Sequence, residues 1–419
     1  MCFPCFLRPC NFLCPGTETM TFTTDDAIAL VDKIEAAIGS PHALASIRDD
    51  AVRCKLRDAA SKLSLALETH NDVIHRIAYS PMQLALARVG VDTGIFRFLV
   101  VNNGTSSVEL ARERKVDLVL TQRLLRYYQS VGMILQKGPD EFAPNNVTEA
   151  LAWEGGRAGI CFQSDLVAQS LLAFPQFLRE TDYANPTNAK YTPFNLGLQT
   201  ERTLFDWIKD HPDTLQHFNT WMSVQRDPRS TFLDVLPFDQ EFAKDSNDET
   251  VVFVDIGGSR GHQCIALRRR YPNLRGRVVL QDLPHTIEQV KTDPLPGFDN
   301  IETDVHDMFS SQTIKDARAY YFRNVFHDWP DDKCQAILES LKPALSKDSV
   351  VLIDDIVVSS VGAPWRVTLG DMTMAVCLAA MERTEAEWRR LASSTGFEVV
   401  KILKYREEYE DSVIVLRVA

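Results

Sequence analysis

The chain has 419 residues, enough for two or three domains that each bury a core. Its 45% hydrophobic and 24% charged residues are those of an ordinary globular protein. A formal net charge of −12 argues against nucleic acid or an anionic membrane as partner and fits a small-molecule enzyme.

The N-terminus is cysteine-rich. Four of nine cysteines fall at Cys2, Cys5, Cys10 and Cys14, and the others (Cys54, Cys161, Cys264, Cys334, Cys377) lack paired spacing. Scattered thiols of this kind suit a reducing, cytoplasmic compartment. Residues 1–23 read as a disordered tail, with a metal site or reversible acylation as the two other readings. The absence of histidine and the proline interruptions count against a metal site, and none is expected elsewhere. The apolar stretch is too short for a membrane span, and no signal peptide precedes the fold.

Residues 24–240 read as mostly helical. Ala27, Leu30, Val31, Ile34, Ala37 and Ile38 recur at helical spacing, as do Leu56, Ala60, Leu63 and Leu67. Pro81 opens a further helix, and Gly94 marks a break before Phe96. Thr105-Ser106-Ser107 with Glu109 predicts a capped helix, Asp117 or Thr121 starts the next, and residues 133–145 alternate around Gly138-Pro139 as a hairpin would. Helix, helix, hairpin is a winged-helix-like order. It reads either as DNA binding through Arg123 and Arg126 or as a dimerisation scaffold, and the acidic charge favours the scaffold. The aromatic-rich stretch from Trp153 to Phe238 supplies core or lines an apolar pocket for a flat substrate.

From 241 to 419 the rhythm changes. Strands are predicted at 251–255, 277–281, 318–323, 350–355, 397–403 and 412–418, with helices at 262–270, 285–292, 331–345 and 384–395. This alternation predicts a doubly wound, Rossmann-like parallel sheet. The short link between the last two strands suits a hairpin, so one of them is antiparallel.

Four features in this half carry chemistry. Gly257, Gly258 and Gly261 form a Gly-rich turn between a strand and a helix, where a nucleotide-like ligand binds. Asp282 ends the next strand twenty-one residues after Gly261, a spacing that suits an acceptor of ribose hydroxyls. His327 follows the strand 318–323, at the carboxyl end of the sheet, with a pKa suited to base work. Asp355 and Glu382 are acids that can orient a histidine; a helix cap and a surface charge are their other readings.

Five ordered motifs, VDIGGSRG, QDLPHTIE, HDMF, FRNVFHDWPDDKC and ERTEAEWRRLASSTGF, resemble the class I S-adenosylmethionine-dependent O-methyltransferases of the plant caffeate/flavonoid type and their fungal secondary-metabolism relatives. The resemblance runs from about Pro81 to the C-terminus. It implies a helical N-terminal part that builds a homodimer and closes the substrate pocket, and a C-terminal part that holds S-adenosylmethionine. Gly257, Gly258 and Gly261 match the cofactor loop, Asp282 the ribose acid, Asp307 and Met308 the residues flanking adenine, and Arg323 a basic position near the cofactor. His327 matches the catalytic base, and Asp355 and Glu382 the acids beside it. The implied reaction is methylation of a phenol-like hydroxyl on a small aromatic, polyketide-like substrate, without metal. Ser259-Arg260 departs from the family's loop. A methyltransferase-fold dehydratase or pericyclase that uses the bound cofactor without transferring methyl is the alternative, and a winged-helix regulator a weaker one.

Overall fold

The structure, a computed structural model, describes residues 22–40, 44, 46–224 and 230–419. The Cys-rich start therefore lies outside the described residues. The chain divides into two compact units, Met1–Ser80 and Pro81–Ala419.

The first unit holds helices Thr24–Ile38, Asp50–Leu67 and His70–Ala78. Each has a side-chain cap: Thr23 and Thr69 form capping boxes with Asp26 and Asp72, and Asp49 accepts from the Val52 amide. Their apolar stripes remain open to solvent. Ile28, Val31, Ile34, Leu56, Ile74 and Ile77 are all exposed.

The second unit begins with helices either side of Gly94, whose φ of +69° makes the break expected there. Helices Ser107–Arg114 and Leu118–Ser130 precede a hairpin of β1 (Leu135–Gly138) and β2 (Glu141–Ala143), so the helix–helix–hairpin order is present. Ser106 and Asp117 are the N-caps. Phe96, Leu99, Leu110, Leu125, Tyr128 and Phe142 make this region's core. Farther along, Phe162 and Phe194 are buried in another cluster, against which Phe174, Phe205, Trp207, Phe218 and Trp221 pack.

Eight strands form the main sheet: β3 (Val251–Ile256), β4 (Arg277–Asp282), β5 (Glu302–Val305), β6 (Ala319–Arg323), β7 (Val350–Val358), β8 (Arg383–Thr384), β9 (Phe397–Arg406) and β10 (Asp411–Val418). Their order is β5-β4-β3-β6-β7-β10-β9, with β8 beside β7. All pairings are parallel except those of β10, which runs antiparallel to β7 and β9. The expected hairpin is thus β9–β10, and the doubly wound class holds.

Residues alternate between two packed faces, as a pleated strand requires. Val254, Tyr320 and Phe322 face one cluster; Phe253, Tyr321 and Leu352 face the other. Phe238 and Phe242, at the junction expected near 240, pack with Phe253 beneath the sheet. The sequence pattern omitted β5, β8 and the helix Trp365–Leu378.

Candidate active site

β3, β4, β5 and β6 end at or just before most of the candidate residues, while Asp355 lies within β7 and Glu382 just before β8. After β3, Gly257 turns with φ +69° and its amide donates to the Gln281 carbonyl at 2.8 Å. A Cβ on Gly258 would stand 2.4 Å from Asp255 Cγ, so only glycine fits. Gly261 caps the helix His262–Arg270 with φ +78°, and a Cβ there would meet Phe298 at 2.6 Å.

Ser259 and Arg260, the departures from the family loop, are accommodated without blocking it. Ser259 takes φ +52°, and its amide donates to Asp282 Oδ2 at 2.8 Å. The left-handed conformation costs a non-glycine residue roughly 1–2 kcal/mol. Arg260 reaches away to Asp293, donating to its carbonyl at 2.6 Å and its carboxylate at 3.0 Å.

Asp282 ends β4. Its Oδ1 accepts from the Leu283 amide at 2.7 Å, so each oxygen holds one loop amide and retains acceptor capacity for a diol. Asp307 and Met308 follow β5 in a turn tied to Asp282 by the His306 amide, at 3.0 Å. Asp307 is exposed and caps the Phe309 amide, while Met308 packs partly against the core.

Arg323 ends β6 and donates to Asp354 Oδ2 at 3.2 Å. Tyr321 and Tyr405 donate to the same carboxylate, Tyr405 at 2.8 Å. Asp255 lies buried below the loop. Burial pushes its carboxyl up to about 7, against the pull of Cys264 and Arg323. Its Oδ1 has no hydrogen-bond partner among the described residues.

The glycine cradle and an acid with spare acceptor capacity fit a nucleoside such as that of S-adenosylmethionine.

His327 sits on a single 3₁₀ turn, Phe326–Asp328, just beyond β6. Its Nδ1 lies 2.8 Å from Glu382 Oε1, and its Nε2 3.5 Å from Asp328 Oδ1. Glu382 is only 5% exposed, which removes the surface-charge reading. Its own amide donates to Asp371 Oδ1 at 2.9 Å. Asp355 is buried too, on β7, one residue from Asp354, so the two acids face opposite sides of the sheet. Burial disfavours an imidazolium here, but Glu382, Asp328 and Asp355 outweigh it and raise His327 to about 10.

The structure thus brings His327, Asp355 and Glu382 together, and Gly257, Gly258, Gly261 and Asp282 together. Asp307 and Met308 follow the outer strand β5, and Arg323 ends β6, with β4 and β3 lying between. Sequence reasoning missed Asp371 and the fully buried Arg383, which follows Glu382. An arginine in the polar run ERTEAEW gives no pattern that separates it from a surface charge.

The sequence matches the model of the O-methyltransferase domain family over residues 201–398. It is 32% identical to demethylsterigmatocystin 6-O-methyltransferase of Aspergillus flavus, across 88% of this chain and 93% of that one. The fold matches the LepI complex with S-adenosylmethionine at a TM-score of 0.83 and 31% identity, covering 95% of this chain and all of the other. It matches a structure described as a pericyclic reaction enzyme at 0.82 and 32%, covering 94% and 100%. Cradle, histidine and relatives agree: the chain belongs to the family of S-adenosylmethionine-dependent O-methyltransferases.

Proposed function

We propose that the protein methylates a phenolic hydroxyl of a small aromatic, polyketide-like secondary metabolite, with His327 as general base. The observation that carries this reading is the 2.8 Å contact between His327 Nδ1 and a buried Glu382, beside the glycine loop. S-adenosylmethionine supplies, when bound, an electrophilic methyl group on a sulfonium sulfur.

The chain's own residues do the rest. Gly257, Gly258 and Gly261 would let the backbone approach the cofactor, Asp282 would accept hydrogen bonds from its ribose hydroxyls, Asp307 and Met308 would flank its adenine, and Arg323 would supply a fixed positive charge on the sheet. Glu382 holds the proton on Nδ1, Asp355 adds negative charge beside the ring, and the neutral fraction of the imidazole accepts the substrate's proton at Nε2. His327 would take the hydroxyl proton at Nε2 and keep it while the oxygen received the methyl group that the bound cofactor would supply. Glu382, Asp328 and Asp355 raise the pKa of His327, which makes its neutral imidazole a stronger base, and a phenol is a better proton donor to it than an aliphatic hydroxyl.

In this reading residues 24–240 form the dimerisation and substrate-pocket part and 241–419 the cofactor-binding part. The open apolar stripes of the first three helices support a homodimer. Buried free thiols at Cys161, Cys264, Cys334 and Cys377 support a reducing, cytoplasmic setting. Among the described residues no helix is long and apolar enough to cross a membrane.

His327→Ala tests the base assignment: turnover falls by about 10²–10⁴ while cofactor binding persists, and near-normal turnover would remove it. The second reading, a pericyclase, draws on the pericyclic enzyme among the structural neighbours. It predicts isomerised product with the cofactor unconsumed.

A further inference from the structure

We propose that Arg383 is a positioning residue for His327, locking the backbone turn that carries the imidazole. The inference rests on the reading of His327 as the base, and it assigns how that base is held in place. Arg383 is 1% exposed and is the largest side chain among those fully buried. Its Nη1 donates to the Phe326 carbonyl at 3.0 Å and its Nη2 to the Trp329 carbonyl at 3.0 Å. These two carbonyls bracket His327 and Asp328.

The guanidinium is itself fixed. Nε and Nη2 both donate to Asp331 Oδ1, at 3.0 and 2.7 Å, and the cation lies 5.3 Å from the Trp388 ring centre. Cys334 Sγ adds weak contacts at 3.3 Å to the same two carbonyls. A lone 3₁₀ turn of three residues is a marginal structure, and its carbonyls need donors. A planar fork with five N–H groups can serve two diverging carbonyls and a carboxylate at once, with a geometry that a lysine ammonium on its single stem does not match.

The placement of Arg383 in the chain explains why this bears on chemistry. β8 pairs Arg383 with Val357 and Thr384 with Val358, next to the end of β7. Glu382 and Arg383 are consecutive, so one residue grips the ring at Nδ1 and the next grips the backbone beneath it. The distance between base and orienting acid is therefore set within one dipeptide. A shift of about 1 Å in such a group can cost about 10²-fold in rate.

The groups facing His327 are Glu382 before β8, Asp328 on its own turn and Asp355 on β7, with Asp371 behind Glu382. Loosening the turn weakens the grip of Glu382 on the imidazolium, so the histidine becomes easier to deprotonate. That gives a readout independent of the acceptor.

The test titrates the His327 ring signals by NMR in ligand-free protein, assigned by their loss in His327→Asn, for wild type and Arg383→Lys. Lysine keeps the charge but cannot span both carbonyls. The expected result is a His327 titration about one unit or more lower, with S-adenosylmethionine affinity within about threefold. Turnover of the best phenol in a panel should fall about 10²-fold at unchanged acceptor KM. Asp331→Asn, which removes an exposed carboxylate and leaves the arginine, should move the titration the same way by less, and keeps the test open if Arg383→Lys folds poorly. An unchanged titration in folded Arg383→Lys, or in Asp331→Asn where the first variant does not fold, reduces Arg383 to a core filler and overturns the proposal. Normal turnover in His327→Ala would instead sink the base reading, so the two failures are distinct.

Discussion

Replacing Glu382 by glutamine removes one negative charge and leaves the side-chain shape nearly unchanged. In the wild type, His327 is held near 10, although burial alone would depress it. The nitrogen–oxygen contact is 2.8 Å, and both side chains are largely shielded, at 12% and 2% exposure. Opposite charges with centres about 4 Å apart attract by about 4 kcal/mol at an effective dielectric constant near 20. That corresponds to about three pKa units, of which a neutral amide acceptor recovers a part. His327 in Glu382→Gln should therefore titrate about two to three units lower, kept from dropping further by Asp328 and Asp355. Two effects then compete in turnover. More of the histidine is neutral at pH 7, which favours the base, but the imidazolium formed during proton transfer loses its partner and Nδ1 its fixed proton. The second effect dominates, and the rate should fall by about 10²–10⁴. The assay is an NMR titration of the ring, paired with single-turnover rates in methyl-labelled cofactor. A titration within half a unit of wild type would refute the electrostatic account of this site.

The same pair makes stability depend on pH. Because folding raises the pKa of His327 above its ordinary 6.5, its contribution is present below that value and is lost as pH rises through about 10. Denaturant melts of wild type should lose stability between these limits, and Glu382→Gln should be flatter over the window. Gly258→Ala, which forces a Cβ to 2.4 Å from Asp255, should abolish measurable cofactor binding in calorimetry while the rest of the sheet stays folded. Ser259→Gly relieves a left-handed conformation at φ +52°, so cofactor affinity should hold or improve by up to about fivefold, equivalent to about 1 kcal/mol. Arg260→Ala should change affinity less than about threefold, since the side chain is engaged with Asp293; a larger loss would mean it contacts the ligand.

Much of the second unit was legible because buried parallel strands are continuous apolar runs. VVFVDI and VVLIDD leave little alternative, and the glycines after the first point to a ligand-binding turn. The polar edge strand ETDV carries no such run and was missed. The helix Trp365–Leu378 mixes buried Val367 and Val376 with exposed Trp365 and Leu369, so no clean stripe marks it. At the site, spacing singled out Asp282 and the end of a strand singled out His327 as candidates, but neither signal could separate Glu382 from a surface acid. Burial at the edge of β7 decides that, and burial is a property of the assembled sheet. Arg383 is the extreme case. Its role depends on two carbonyls more than fifty residues away in sequence, beyond the reach of any local pattern.

Methyl transfer at this site can be followed through the fate of a labelled methyl group. Incubating the protein with methyl-labelled S-adenosylmethionine and a panel of phenols tests it most directly. Methyl transfer by His327 puts label on the acceptor oxygen with S-adenosylhomocysteine formed in equal amount, and both are lost in His327→Ala. Rearranged or dehydrated product with the labelled cofactor intact would contradict it.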